Sequence, residues 1–122
     1  MVFVTADSCR LQLERLTQLL VSAFPGSTIY QHINLGRVPH DTLSHNVDAV
    51  FLSAEMVKTN ELDYVQMLRR HKSNLPVFII SQTEDFRKEA ADAGATDFFV
   101  RPITGQQLMD AIQAVKNKEN AS

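Results

Sequence analysis

The chain has 122 residues, 44% of them hydrophobic and 21% charged, which suits one compact domain whose core needs no disulfide or metal to hold it. A net charge of -2 excludes a generic attraction to nucleic acid or acidic membranes. The single cysteine, Cys9, excludes an internal bridge or a cysteine metal cluster, the opening MVFVTADSCR lacks the length and flanks of a secretory signal, and no apolar run approaches the ~20 residues of a spanning helix, so a soluble cytoplasmic protein is expected.

Apolar runs alternate with helical periods along the chain, the pattern of a parallel sheet flanked by helices. VFVTA (2–6) is continuous and rich in β-branched residues, as a strand buried on both faces requires, and Asp7 or Ser8 can cap a following helix. That helix carries Leu13, Leu16, Leu20 and Ala23 at spacings of three and four along one side, and FPG (24–26) stops it. STIYQHI (27–33) contains polar Gln31 and His32 and reads as a second strand nearer an edge, followed by a short helix around PHDTLSH (39–45). DAVFLS (48–53) is the third strand. The polar segment AEMVKTN (54–60) leads into a helix bearing Leu62, Val65 and Leu68, with Arg69, Arg70 and Lys72 in its last turn, where positive charge suits the helix dipole.

LPVFIIS (75–81) is the fourth strand, and the helix in TEDFRKEAADAGA takes Thr83 as cap and Gly94 as terminator. TDFFVRP (96–102) is the fifth strand. Its helix begins at TGQQ, where Thr104 and Gln107 have capping-box spacing, and turns Leu108, Ala111, Ile112 and Val115 inward. The domain is expected over residues 1–118, with 119–122 a polar, frayed tail or the start of a linker. Five right-handed β-α units make an α/β fold, a doubly wound five-stranded parallel sheet of flavodoxin-like order 2-1-3-4-5, in which ligands gather beyond the carboxyl ends of the strands. The residues there are Ala6 and Asp7, Ser53, Ser81 and Gln82, and Arg101 with Pro102.

At these positions the chain resembles the receiver domain of bacterial two-component response regulators. The likeness runs end to end: Asp7 after the first strand, DAVFLS with AEM behind it, LPVFIIS ending in a hydroxyl, and AGATDFFVRPIT (93–104), close to the family's Gly-Ala, acidic-aromatic, Lys-Pro ending. The resemblance implies a site in which two adjacent carboxylates after strand 1 and an aspartate after strand 3 hold Mg²⁺. The strand 3 aspartate accepts a phosphoryl group from a histidine kinase, while a hydroxyl after strand 4 and a lysine before the proline of strand 5 read its oxygens. Carried over, these positions fall on Ala6, Asp7, Ser53, Ser81 and Arg101, so the first carboxylate, the phosphoacceptor and the lysine have changed type. Val57 and Glu61 stand where the family's loop proline and glycine are usual.

The changes point one way. Mg²⁺ depends on hard, charged oxygen ligands, and one carboxylate in place of three holds it poorly. Phosphoryl transfer then lacks its charge neutraliser, and a serine without an adjacent base is a weak nucleophile. Arg101, a permanent planar cation, is expected to pair with Asp7 or Glu55 and hold the pocket in one arrangement. A non-enzymatic receiver-like module without a cofactor or metal follows, acting in signalling through a protein partner, an output domain of a longer regulator or a homodimer, and contacting neither nucleic acid nor membrane itself.

In the family the surface of the fourth helix, fifth strand and fifth helix is a common docking face. Phe86, Lys88, Asp97, Phe98, Gln106 and Asp110 fall in that region here, with Phe98 at the position of a switching aromatic; without a phenol its burial is favoured. The other reading is a sensor whose crevice, lined by Ser53, Ser81, Arg101 and helix amino termini, binds a small anion or metabolite. His32, His40, His45 and His71 lie in different elements without metal-ligand spacing. RRHK (69–72) reads as a solvated helix end. Ser53 and Ser81 also fit as ordinary strand-end hydroxyls, Ser81 with cap spacing to Glu84, and Cys9 is expected in a first helical turn.

Overall fold

The computed structural model describes residues 1–59 and 63–121. Its five strands are β1 (Val2–Ala6), β2 (Thr28–His32), β3 (Ala49–Ser53), β4 (Val77–Ser81) and β5 (Asp97–Val100), all parallel, in the order β2-β1-β3-β4-β5. Between and after them run α1 (Arg10–Ala23), α2 (Val38–Ser44), α3 (Ala54–Thr59), α4 (Asp63–His71), α5 (Arg87–Asp92) and α6 (Gly105–Ala121). The expected α/β class and winding order are those observed, and every expected strand lies within two residues of its predicted ends. Among the described residues no helix is long and apolar enough to cross a membrane.

The period of two along each strand sorts the core into two halves. Val4, Ala6, Val50, Leu52, Val77, Ile79 and Phe98 face the side covered by α2 to α5. Phe3, Phe51, Phe78, Ile80 and Phe99 face the side covered by α1 and α6, where Leu16, Leu20, Leu108, Ala111 and Ile112 meet them. On this second side a row of phenylalanines crosses four strands, with ring centroids 5.9 Å apart for Phe3–Phe51, 5.1 Å for Phe51–Phe78 and 5.7 Å for Phe78–Phe99. Such pairs add about 0.5–1.5 kcal/mol each beyond the area they bury.

Helix boundaries depart from expectation where capping chemistry was misjudged. The residue at the N-cap of α1 is Cys9, not Asp7 or Ser8, and its side chain makes no cap hydrogen bond. Asp7 instead uses Oδ1 to accept the Cys9 backbone N–H at 2.9 Å, turning the chain into the helix from outside it. The helix expected to begin behind Thr83 starts only at Arg87: Thr83 Oγ1 accepts the Asp85 N–H at 3.4 Å, so it closes a local turn. AEMVKT (54–59) is itself helical, as α3, and Asp63–His71 form α4; Glu61 and Leu62 lie outside the described residues. The Thr104–Gln107 capping box forms reciprocally, Gln107 N–H to Thr104 Oγ1 at 3.2 Å and Thr104 N–H to Gln107 Oε1 at 2.8 Å. α6 then continues through Ala121. Gly94 ends α5 with φ +101°, a left-handed conformation that other residues adopt at a cost.

The cluster Arg69–Lys72 does more than end a solvated helix. Arg69 donates to the carbonyls of Leu75 and Ser73, both at 3.3 Å, and to Thr96 Oγ1 at 3.1 Å, while Lys72 Nζ donates to the carbonyls of Thr42 and His45 at 2.9 and 3.0 Å. Two of the basic side chains thereby satisfy loop and helix-end carbonyls of neighbouring elements. Arg70 and His71 are exposed, as expected of such a helix end.

Candidate functional site

Parallel strands deliver their carboxyl ends to one edge of the sheet, and the register decides which side chains meet there. Asp7, one residue beyond β1, donates its backbone N–H to the His32 carbonyl at 3.0 Å, and Arg101, one beyond β5, donates its own to the Ser81 carbonyl at 2.9 Å. Both side chains are thus carried by backbone that still belongs to the ladder. They meet: Arg101 Nη2 lies 2.7 Å from Asp7 Oδ2. The carboxylate is spanned, one oxygen on the guanidinium and the other on the Cys9 N–H. Of the two partners expected for Arg101, Asp7 is the one engaged, and Glu55 stands exposed in the first turn of α3.

Ala6, Ser53 and Ser81 end their strands as buried residues. Ser81 Oγ accepts the Thr83 N–H at 3.2 Å and so closes the turn after β4. Glu84, expected to complete a cap with Ser81, binds Arg87 instead, through Nε to Oε2 at 2.5 Å and Nη2 to Oε1 at 3.0 Å. That hydrogen bond holds the Glu84 carboxyl below its ordinary range. A crevice lined jointly by Ser53, Ser81 and Arg101 does not describe this end of the sheet: both hydroxyls are buried, and the cavity that opens at Arg101 is lined instead by α1, Ile80, Gln82, Pro102 and Ile103.

On the expected docking face, Lys88, Asp97, Gln106 and Asp110 are exposed, with Gln106 Nε2 donating to Asp110 Oδ1 at 2.8 Å. Phe86 and Phe98 are not surface residues; both join the apolar core on the α2–α5 side, because the start of α5 folds over the end of β5. Arg87 lies over Phe98 with its guanidinium carbon 4.9 Å from the ring centroid and donates Nη1 to the Phe98 carbonyl at 3.3 Å. A cation–π contact on the ring and a hydrogen bond to the backbone thus hold the residue at the family's switching position, whose burial was expected.

A constellation absent from the sequence reading lies at the β2 edge. His32 Nε2 is 2.7 Å from Asp41 Oδ2 and His45 Nε2 is 3.9 Å from Asp41 Oδ1, while Tyr30 stacks on His45 at 4.2 Å between centroids. Two histidines treated separately therefore converge on one carboxylate of α2. Asp41 and His45 are four residues apart on one helix end, a spacing visible in sequence, but the arrival of His32 depends on the β1–β2 register. His40 and His71 are exposed elsewhere, Cys9 is a free exposed thiol, and no group of three His, Cys, Asp or Glu among the described residues is arranged to hold a metal ion. Tyr64 Oη donates to the Leu35 carbonyl at 2.8 Å, fastening the loop ahead of α2, and burial pushes its phenol far above the usual range.

An open parallel sheet in this order, with an acidic residue after β1, a hydroxyl after β4 and a cation–proline pair after β5 meeting at one edge, defines the receiver class of signalling domain. The chain belongs to it: the response regulator receiver domain family model matches residues 4–113. Among curated proteins it is similar to the response regulator ArlR of Staphylococcus aureus, 27% identical over 78 residues that make up 63% of this chain and 36% of that protein. The chain thus spans about a third of the length of the curated relatives it matches. Among solved structures it is similar to a two-component response regulator from Clostridium difficile, with TM-score 0.83 and 17% identity over 98% of each chain. A CheY-like receiver domain protein from Methanospirillum hungatei JF-1 follows at TM-score 0.81 and 11% identity, covering 99% of this chain and 98% of that one. Likeness at such identities shows the fold. The family places the chain in two-component signal transduction.

Proposed function

We propose that this receiver domain transmits its signal without accepting a phosphoryl group, as a non-enzymatic binding module that contacts a protein partner, a second copy of itself or an output domain of a longer regulator. The observation that carries the reading is the 2.7 Å Asp7–Arg101 pair. The one carboxylate left at the family's metal-binding positions is already neutralised, its two oxygens committed to a guanidinium and a backbone N–H, while Ala6 and Ser53 bring no charge. This donor set does not fit a hard divalent cation, which gains its affinity from several anionic oxygens. Ser53 is buried at 4% exposure, and a neutral hydroxyl held away from solvent is a poor acceptor beside an ionised carboxylate.

The covered Phe98 supports the same reading. With Arg87 bonded to Glu84 and resting on the ring, the α5–β5 region is held in one arrangement, and Lys88, Asp97, Gln106 and Asp110 offer a fixed polar surface to a partner. The direct test is intact-mass spectrometry after incubation with acetyl phosphate and Mg²⁺. The expected spectrum is unchanged; a phosphoryl adduct refutes the proposal. Light scattering across a concentration series, with and without acetyl phosphate, should give the same association state in both.

A further inference from the structure

Arg101 borders a second feature that phosphoryl chemistry does not use. On the α1 side of the sheet a cavity of about 330 Å³ opens over the carboxyl ends of β4 and β5. Its walls are Leu16 and Leu19 of α1, Ile80 of β4, and Pro102 and Ile103 after β5; its polar members are Gln12, Arg15, Gln82 and Arg101. Two guanidiniums and two carboxamides thus surround an apolar floor without a single carboxylate in the lining. The size and the ratio of apolar wall to convergent polar groups are those of small-molecule sites, which run from about 300 Å³ upward.

The charges say what such a ligand carries. Arg101 gives Nη2 to Asp7, which cancels its charge but leaves the rest of its five-donor fork for another acceptor. Arg15 is exposed, and no described carboxylate pairs with it. The lining therefore supplies about one uncompensated positive charge, presented above Leu16 and Ile80, which are 8% and 2% exposed and form part of the α1–α6 core. A dianionic phosphate would leave charge unmatched over an apolar floor, at a desolvation cost the site does not offset. A monoanion with an apolar body matches both halves.

We propose that this groove binds a small amphipathic carboxylate, its acid group taken by Arg15 and the free edge of Arg101 and its apolar part laid on Leu16, Leu19, Ile80 and Ile103. The site stands independently of whether the domain accepts a phosphoryl group, since it uses neither Ser53 nor a metal. It also couples to the Asp7 pair: a carboxylate on the free edge of Arg101 shares the guanidinium's charge with Asp7, so occupancy weakens the Asp7–Arg101 ion pair.

The test is a ¹H–¹⁵N correlation titration of the full chain at low salt with two probes, octanoate and 2-naphthoate, and with octanol as the uncharged control. Saturable shifts are expected at the amides of Gln12, Leu16, Gln82 and Ile103 with at least one acid, and binding should weaken about tenfold, or about 1.4 kcal/mol, in Arg15→Gln, which alters only an exposed side chain. Ile103→Glu, which puts a like charge on the floor, should abolish it; the amide spectrum of each variant reports that the fold is kept. Shifts by neither acid, shifts spread over other surfaces, equal affinity for octanol, or an Arg15→Gln variant that binds as well as the parent would each overturn the proposal.

Discussion

Replacing Arg101 by Met keeps an apolar stem against Pro102 and Ile103 but strips Asp7 of its counter-charge, and the structure sets the size of the effect. Asp7 is 6% exposed, so its carboxylate cannot regain full hydration; it keeps the Cys9 N–H and loses the 2.7 Å guanidinium. Breaking a fully dry pair costs about 3–5 kcal/mol, and losing one charged hydrogen bond about 1.5–3 kcal/mol. Arg101 borders an open cavity through which water reaches the site, which places the expected loss near ~2.5 kcal/mol, below the dry-pair range and within that of a charged hydrogen bond.

With a urea slope of about 1.5 kcal/mol per molar for a domain of this size, the unfolding midpoint followed by circular dichroism should fall by about 1.7 M. Asp7→Asn alone should cost about 1 kcal/mol, because the guanidinium it leaves behind can turn to water. The double variant should lose only about 1.5 kcal/mol, giving a coupling energy of about 2 kcal/mol, within the usual range for side chains in contact. A midpoint shift under about 0.5 M for Arg101→Met, or strictly additive effects in the double variant, would refute the claim that this pair holds the two edges of the site together.

Phe78→Ala should be the costliest single truncation in the α1–α6 half of the core, about 3–5 kcal/mol, since it removes the central ring of the row between Phe51 and Phe99; a thermal melt checks it, and a loss below about 1.5 kcal/mol would mean that the row is not close-packed. Asp41→Asn should destabilise the docking of α2 by about 1 kcal/mol and speed amide exchange in Val38–Ser44 while β4 amides stay protected; uniform exchange rates would show that the two histidines do not depend on the carboxylate. Restoring charge with Ala6→Asp, Ser53→Asp and Arg101→Lys together should create Mg²⁺ binding measurable by calorimetry and a phosphoryl adduct at position 53 with acetyl phosphate. If the triple variant folds and still binds no Mg²⁺, the loss of the three family side chains is not what separates this site from a metal-binding one. Thr104→Ala should cost about 1 kcal/mol through the lost cap of α6.

Much of this molecule is legible one residue at a time. Three apolar runs became β1, β3 and β4 because a strand buried on both faces needs apolar side chains at nearly every position, a condition written in consecutive residues. The Thr104–Gln107 cap and the Gly94 stop were readable for the same reason: each is satisfied by backbone three or four positions away. The positions of Ala6, Asp7, Ser53, Ser81 and Arg101 at one edge follow from strand order and parallel winding alone.

Tertiary structure decided everything that required two distant side chains to choose each other. Asp7 and Arg101, 94 residues apart, had two candidate pairings in sequence, and the β4–β5 register selected one. The approach of His32 to Asp41, the burial of Phe86 in the expected docking region, and the groove under α1 depend on helix placement over the sheet. Periodicity and capping are short-range energies that a chain expresses before it folds; register, rotamer and packing exist only once the sheet has closed, and they determine which of its charges remain available to bind something.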